Sequence, residues 1–171
     1  MLLIEIKYHD PDMYDLEDTH LPKYMSKGAA AIDLKAIDGA LIPAGTSHMV
    51  HTGIHMHIGS VFGEGSDFAE TAEEANELGI GLVGLIVPRS SLGNKGLIIG
   101  NTIGVIDADY QGEIMVNLWN RNSDGSINIQ PGERIAQMVF VSILRPEFRT
   151  VQEFSVISDR GEKGFGSTGR L

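Results

Sequence analysis

Short runs of Ile, Val and Leu, each about the length of one strand and closed off by glycine or proline, limit most strongly what this chain can fold into. They fall at Leu2–Lys7, Ala30–Ala36, Gly81–Val87, Gly96–Thr102, Glu113–Asn120, Ser126–Gln130 and Arg134–Ile143. Between them stand the turn formers Pro43-Ala-Gly45, Asp124-Gly125 and Pro131-Gly132, where glycine allows positive φ and proline presets the bend. Short apolar runs with turns at this spacing predict an all-β sandwich or barrel rather than alternating helices and strands. The segment Ile114–Trp119 mixes alternation with continuous apolarity, so a strand covered on both faces is expected there, by the opposite sheet or by a neighbouring subunit. One stretch departs from the β pattern. In Ser66–Gly79 the residues Phe68, Ala72, Ala75 and Leu78 recur at helical spacing with acids opposite, Asp67 and Glu70 have capping-box spacing, and Gly79 supplies a stop.

With 171 residues the chain has the length of one ordinary domain, able to bury a core without cross-links, so residues 1–171 are expected to form a single domain. The absence of cysteine excludes disulfides and thiolate metal sites, and agrees with a cytoplasmic protein. The opening MLLIEIKYHD turns charged too soon for a secretory signal or a membrane span, so neither is expected. A net charge of −10 is the wrong sign for a surface that follows a nucleic acid backbone. A small anionic ligand is still compatible, because a few arginines and a cation can reverse the sign of one pocket.

Three stretches carry groups suited to such a ligand. In Pro88–Leu97, Arg89 offers charge-assisted bonds to phosphoryl oxygens, Ser90 and Ser91 offer hydroxyls, and Gly93 allows close backbone approach. On its own this is equally an ordinary polar turn. Gly100–Glu113 reads as two strands around a turn. There Asn101 can donate and accept toward a pyrimidine edge, Asp107 can orient and deprotonate a water, and the Tyr110 ring can pack on a sugar. A plain hairpin with Asp109 and Tyr110 as turn formers explains the same residues. Near the C-terminus, Arg160–Arg170 combines glycines and hydroxyls with Phe165 and two arginines, the composition of a disordered tail or of a lid that orders over a ligand.

Taken with Gly28–Leu34, which holds Asp33, and Pro131–Met138, which holds Gln137, these stretches occur in an order that resembles the five motifs of the trimeric dUTPase family, from about residue 21 onward. The resemblance implies a jelly-roll-like distorted β-barrel of the β-clip type with a short helical insertion at 64–80. It also implies a homotrimer with shared active sites, and Mg²⁺-dependent hydrolysis of dUTP to dUMP and pyrophosphate. By the same resemblance Asp33 orders the water shell of the metal, whose direct ligands come from the substrate phosphates. Arg89, Ser90, Ser91, Gly93 and Gln137 contact the triphosphate, and Asn101 with the backbone of Gly104, Val105 and Ile106 reads uracil. Asp107 activates the attacking water, Tyr110 underlies the deoxyribose, and Arg160, Phe165, Gly166, Ser167 and Thr168 belong to a C-terminal lid spanning 160–171. Two positions depart from the family pattern, Ala31 and Lys163, each where glycine is usual.

Three other readings follow from the same residues. His51, His55 and His57 suggest a transition-metal site, against which stands a polar strand surface. The related dCTP deaminases share fold and triphosphate handling, although Asp107 and the Phe165 lid speak against them. A nucleotide-responsive binding module with a protein partner at the 64–80 insertion is the third.

Overall fold

A computed structural model describes residues 4–10, 22–60 and 79–162. The helix expected over 66–78, Lys163 and the lid residues Phe165, Gly166, Ser167 and Thr168 lie outside the described residues. Ten strands are described: β1 (Glu5–Tyr8), β2 (Ile32–Lys35), β3 (Ala40–Pro43), β4 (Ser47–His57), β5 (Ile80–Val87), β6 (Leu97–Ile99), β7 (Gly104–Ile106), β8 (Glu113–Asn120), β9 (Ser126–Ile129) and β10 (Arg134–Leu144). One short helix, α1 (Ser90–Asn94), follows β5, and Ile58–Ser60 forms a 3₁₀ turn. The protein is all-β, as the sequence predicts, and its strands form two four-stranded sheets and a ribbon rather than a closed barrel. The first sheet has the order β1-β4-β8-β6, the second β2-β10-β5-β7, and β3 pairs with β9. Among the described residues no helix is long and apolar enough to cross a membrane.

Alternation explains the packing. In β8 the side chains of Ile114, Val116 and Leu118 point inward and are buried, while Met115 and Trp119 between them are 39% and 38% exposed. The expectation of cover on both faces is therefore corrected for the single chain: one face meets the opposite sheet and the other is open. Leu34, Ile42, Met56, Ile129 and Met138 complete the core from the other strands. Asn120 is fully buried, and its Nδ2 donates to Ile42 O at 3.0 Å while its Oδ1 accepts from Asn122 N at 3.2 Å. That amide ties the β3–β9 ribbon to the end of β8, and no buried polar side-chain atom among the described residues lacks a partner.

The longest strand missed by the apolar pattern is β4, whose sequence SHMVHTGIHMH is largely polar. Its pairing with β8 shifts between His51 and His55. At the shift Gly53 takes φ +67, and a Cβ there would come within 2.7 Å of Ile37 Cδ1. Glu113 fills the gap in the ladder, accepting from Gly53 N at 2.9 Å and from His51 Nδ1 at 2.8 Å.

The hydrogen bond and charge of Glu113 raise the His51 pKa above its ordinary 6.5. Partial burial pushes Glu113 upward, but the His51 and Gly53 hydrogen bonds outweigh it and the net shift is below 4.5. A raised histidine stabilises below its unfolded pKa and loses that contribution as pH rises through the folded value; a depressed carboxylate stabilises above its unfolded pKa and loses it as pH falls. The pair is therefore most stabilising between those ordinary values. The melting-temperature difference between wild type and His51→Gln should be largest near about pH 6 and shrink toward about pH 8.5. A difference that stays constant over that range would contradict this assignment.

Two other histidines on β4, His55 and His57, have separate partners. His55 Nδ1 lies 3.1 Å from Gln111 O, and His57 Nδ1 lies 3.3 Å from Glu5 Oε2. Among the described residues no group of three or more His, Cys, Asp or Glu is arranged to hold a metal ion, so the histidine metal reading gains no support.

Candidate active site

Two of the stretches singled out for chemistry, Pro88–Leu97 and Gly100–Glu113, lie where the chain passes from one sheet to the other. Helix α1 carries it from β5 in the second sheet to β6 in the first; residues 100–103 carry it back to β7; residues 107–112 carry it over again to β8. Such crossings sit at the ends of a sandwich, where polar groups escape burial while the strands hold them in place. The expected run Gly96–Thr102 thus ends as a strand at Ile99. The stretch from Gly100 to Glu113 is likewise not a paired hairpin, because β7 pairs with β5 whereas β8 pairs with β4 and β6.

The first crossing builds a cleft of about 320 Å³ lined by Asp33, Arg89, Ser90, Ser91, Arg134 and Gln137, together with Met25 and Ala31. Pro88 follows the end of β5, and Arg89 is extended, with φ −88 and ψ 136. The buried Leu92 anchors α1 beneath the two exposed serines. Arg89 Nε lies 2.9 Å from Asp33 Oδ1, and its Nη1 donates to Arg134 O at 3.2 Å. Arg134 Nε approaches the other oxygen of Asp33 at 3.5 Å. Gln137 stands directly opposite Asp33 in the β10–β2 ladder and donates from Nε2 to Pro88 O at 2.9 Å. The cleft thus unites residues from three separate sequence motifs. Gly93 N–H donates to Arg89 O at 3.0 Å, closing the turn of α1 beside the cleft.

The second and third crossings build a different place. Asn101 Nδ2 donates to Ile103 O at 3.2 Å, and Ile103 N donates to Asn101 O at 2.8 Å across Thr102, whose φ is +70. A three-residue turn around a non-glycine residue at positive φ is strained, and here it precedes a glycine forced by close packing. A Cβ on Gly104 would meet Ile86 Cβ at 3.0 Å. Strand β7 is an edge, so alternate backbone groups along Gly104, Val105 and Ile106 face away from β5.

Asp107 is exposed and helps line a cavity of about 350 Å³ with His57, Gly59, Asp109 and Arg145. Tyr110 O–H donates to Glu113 O at 2.9 Å, and a side chain at Gly112 would strike that hydroxyl. Arg145, just past the end of β10, braces the cavity, its Nη2 donating to Ile80 O at 2.9 Å. Arg160 stands in an exposed turn closed by Gly161 N on Ser158 O at 3.0 Å, and lines neither cavity.

The structure therefore sorts the expected site residues into two groups. Ile106 pairs with Gly84, while Ser90 lies six residues further along from Gly84, after the end of β5. At roughly 3.3 Å per residue, Val87 at the end of β5 is about 10 Å along the sheet from Gly84, and Ser90 lies beyond it in α1, away from Asp107. Sequence reasoning named His57 only as part of a histidine metal site and overlooked Arg134 and Arg145. Arg134 had a signal, a cation in the motif that holds Gln137; Arg145 had none.

By class this is an all-β protein whose sheet crossings build a guanidinium- and hydroxyl-lined anion cleft at one place and a carboxylate pocket at another. The family model described as dUTPase matches residues 75–169. The chain is 43% identical to the deoxyuridine 5'-triphosphate nucleotidohydrolase of Baumannia cicadellinicola subsp. Homalodisca coagulata with all of both chains covered, and 40% identical to that of Shigella sonnei over 99% of each. Among solved structures it resembles the dUTPase of Staphylococcus bacteriophage 80alpha with dUPNHPP, at a TM-score of 0.74 and 27% identity over 98% of this chain and 99% of that one. It also shares the fold of a variant dUTPase from phage phi11 of S. aureus that coordinates a structural Mg(II) ion, at a TM-score of 0.66, 21% identity, and 90% and 99% coverage. The chain belongs to the dUTPase family.

Proposed function

We propose that the protein is a dUTP diphosphatase, hydrolysing dUTP to dUMP and pyrophosphate by attack of water on the α-phosphorus, which lowers dUTP and supplies dUMP for dTMP synthesis. The observation that carries this reading is the anion cleft of Asp33, Arg89, Ser90, Ser91 and Gln137 on a family member matched along its whole length. Arg89 and Gln137 bind the phosphates, and Ser90 stands by the bridging oxygen that departs. Asn101 and the open edge of β7 take the uracil, and the exposed ring of Tyr110 underlies the deoxyribose. Asp107 orients the water and accepts its proton. Arg160 and the residues 163–171 close over the ligand.

This chemistry needs Asp107 and Ser90 on either side of one phosphorus, and their separation within the chain supports sites shared between copies in a homotrimer. The segment after β10 supports the same assembly. Phe148, Phe154, Val156 and Ile157 are 95%, 87%, 76% and 93% exposed, and a run of apolar side chains this open fits a surface that a second copy covers.

Mg²⁺ fits the donor set on one condition. The described residues make no cage of carboxylates or imidazoles, and both oxygens of Asp33 already face guanidinium groups. A cation that keeps its waters and leans on substrate phosphates suits such a site, with Asp33 using its remaining lone pairs through water. When bound it would neutralise phosphate charge. The chain's own residues supply the rest, namely position, hydrogen bonds and a proton acceptor.

A panel of dUTP, dTTP, dCTP and UTP assayed for pyrophosphate with and without Mg²⁺ tests the proposal. Release from dUTP alone, dependent on Mg²⁺, is expected. Equal release from UTP, or ammonia from dCTP, would refute it.

A further inference from the structure

We infer that Arg134 is a positioning residue of the phosphate cleft that also sets its charge, an inference that rests on the triphosphate reading above. Two observations carry it. The first is backbone geometry. Arg134 pairs with Lys35 and Gln137 with Asp33, so three steps along β10 oppose two along β2. Side chains alternate along a regular strand, and residues three apart would face opposite sides. The bulge absorbs the extra residue: Ile135 and Ala136, 1% and 0% exposed, both turn into the core, and Arg134 and Gln137 both turn to the cleft.

The second observation is the charge count. Arg89 and Asp33 cancel as an ion pair, and the other lining side chains, Ser90, Ser91, Gln137, Ala31 and Met25, are neutral. Arg134, against the second oxygen of Asp33, leaves the cleft with one net positive charge in a protein of net −10. Without it the Asp33 carboxylate would offset Arg89 fully, and a triphosphate would meet a neutral site. The Arg134 carbonyl also holds Arg89 Nη1, so Arg89 is fixed from two sides and presents its remaining N–H groups in one direction.

At 3.5 Å the Arg134–Asp33 contact is an ion pair rather than a well-formed hydrogen bond, so charge matters more than the shape of the guanidinium. The carbonyl survives any substitution. Arg134→Met therefore isolates the charge, and Arg134→Lys restores it. Because the side chain is 41% exposed, the interaction is partly screened.

The test is steady-state pyrophosphate release from dUTP by wild type, Arg134→Met and Arg134→Lys at low and at high salt. For Arg134→Met, KM should rise about tenfold at low ionic strength, kcat should change less, and the gap should narrow as salt is added. Arg134→Lys should return KM to within about threefold of wild type. An active wild type with an unchanged KM for Arg134→Met, or with Arg134→Lys as impaired as Arg134→Met, would overturn the inference and leave the proposed function standing. A wild type that releases no pyrophosphate from dUTP would remove both. Should Arg134→Met not fold, the lysine variant alone decides, since a KM far above wild type contradicts a role based on charge.

Discussion

Replacing Asp107 with asparagine is expected to lower kcat for dUTP by about 10²–10⁴-fold while KM changes by less than about threefold. Asparagine keeps the size of the side chain and its place just beyond β7. The crossing is held by bonds that do not use the carboxylate: among the described residues no hydrogen bond is accepted by the Asp107 side chain, and its backbone oxygen accepts from Tyr110 N at 3.2 Å. Binding should therefore survive. What is lost is an oxygen able to take a proton from water as the bond to phosphorus forms. Pyrophosphate release gives kcat, and titration with an imido analogue of dUTP gives affinity independently. A variant within tenfold of wild-type kcat would remove Asp107 from the role of base.

Mixing two inactive variants should restore activity. If Arg89 and Asp107 act on the same nucleotide from different subunits, Arg89→Ala and Asp107→Asn each disable all three sites of their own trimer. Unfolded together in equal amounts and refolded, they assemble at random. A site is intact when one subunit supplies Arg89 and its neighbour supplies Asp107, so about one quarter of sites, and about one quarter of wild-type activity, should return. Were both residues to serve one site within one chain, every site in every mixture would lack one of them, and activity would stay at the level of the parents. The experiment thus reads the separation of the two cavities along β5 directly as a yield of enzyme.

The parts of the fold that could be read in advance are those where local chemistry and tertiary environment agree. Strands β5, β8, β9 and β10 coincide with apolar runs because each is buried on at least one face. Strand β4 was not legible: it carries histidine at four of its positions, and its inward residues Val50, Ile54 and Met56 are interrupted by the shift at Gly53. A bulge breaks the alternation on which strand recognition depends, and its one local mark is Gly53, a single glycine among polar residues. The same effect hid Arg134. Its spacing from Gln137 places them on opposite faces of any regular strand, and only the bulge brings them together. The five-residue helix α1 was equally hidden among serines and glycines, since its sole buried anchor is Leu92.

The chain's own sequence determined the chemical inventory: which carboxylate, guanidinium, amide, hydroxyl and aromatic groups exist, their order, the all-β class and the family. Those follow from side-chain chemistry and short-range periodicity, which need no knowledge of distant contacts. Tertiary structure alone decided which of these groups meet. It joined Asp33, Arg89, Arg134 and Gln137 across three strands and two sequence gaps, and it set Asp107 and Ser90 in separate cavities, one just beyond β7 and the other past the end of β5. The physical reason is that strand pairing and register are set by burial summed over whole sheets, so the neighbours of a residue depend on every strand at once.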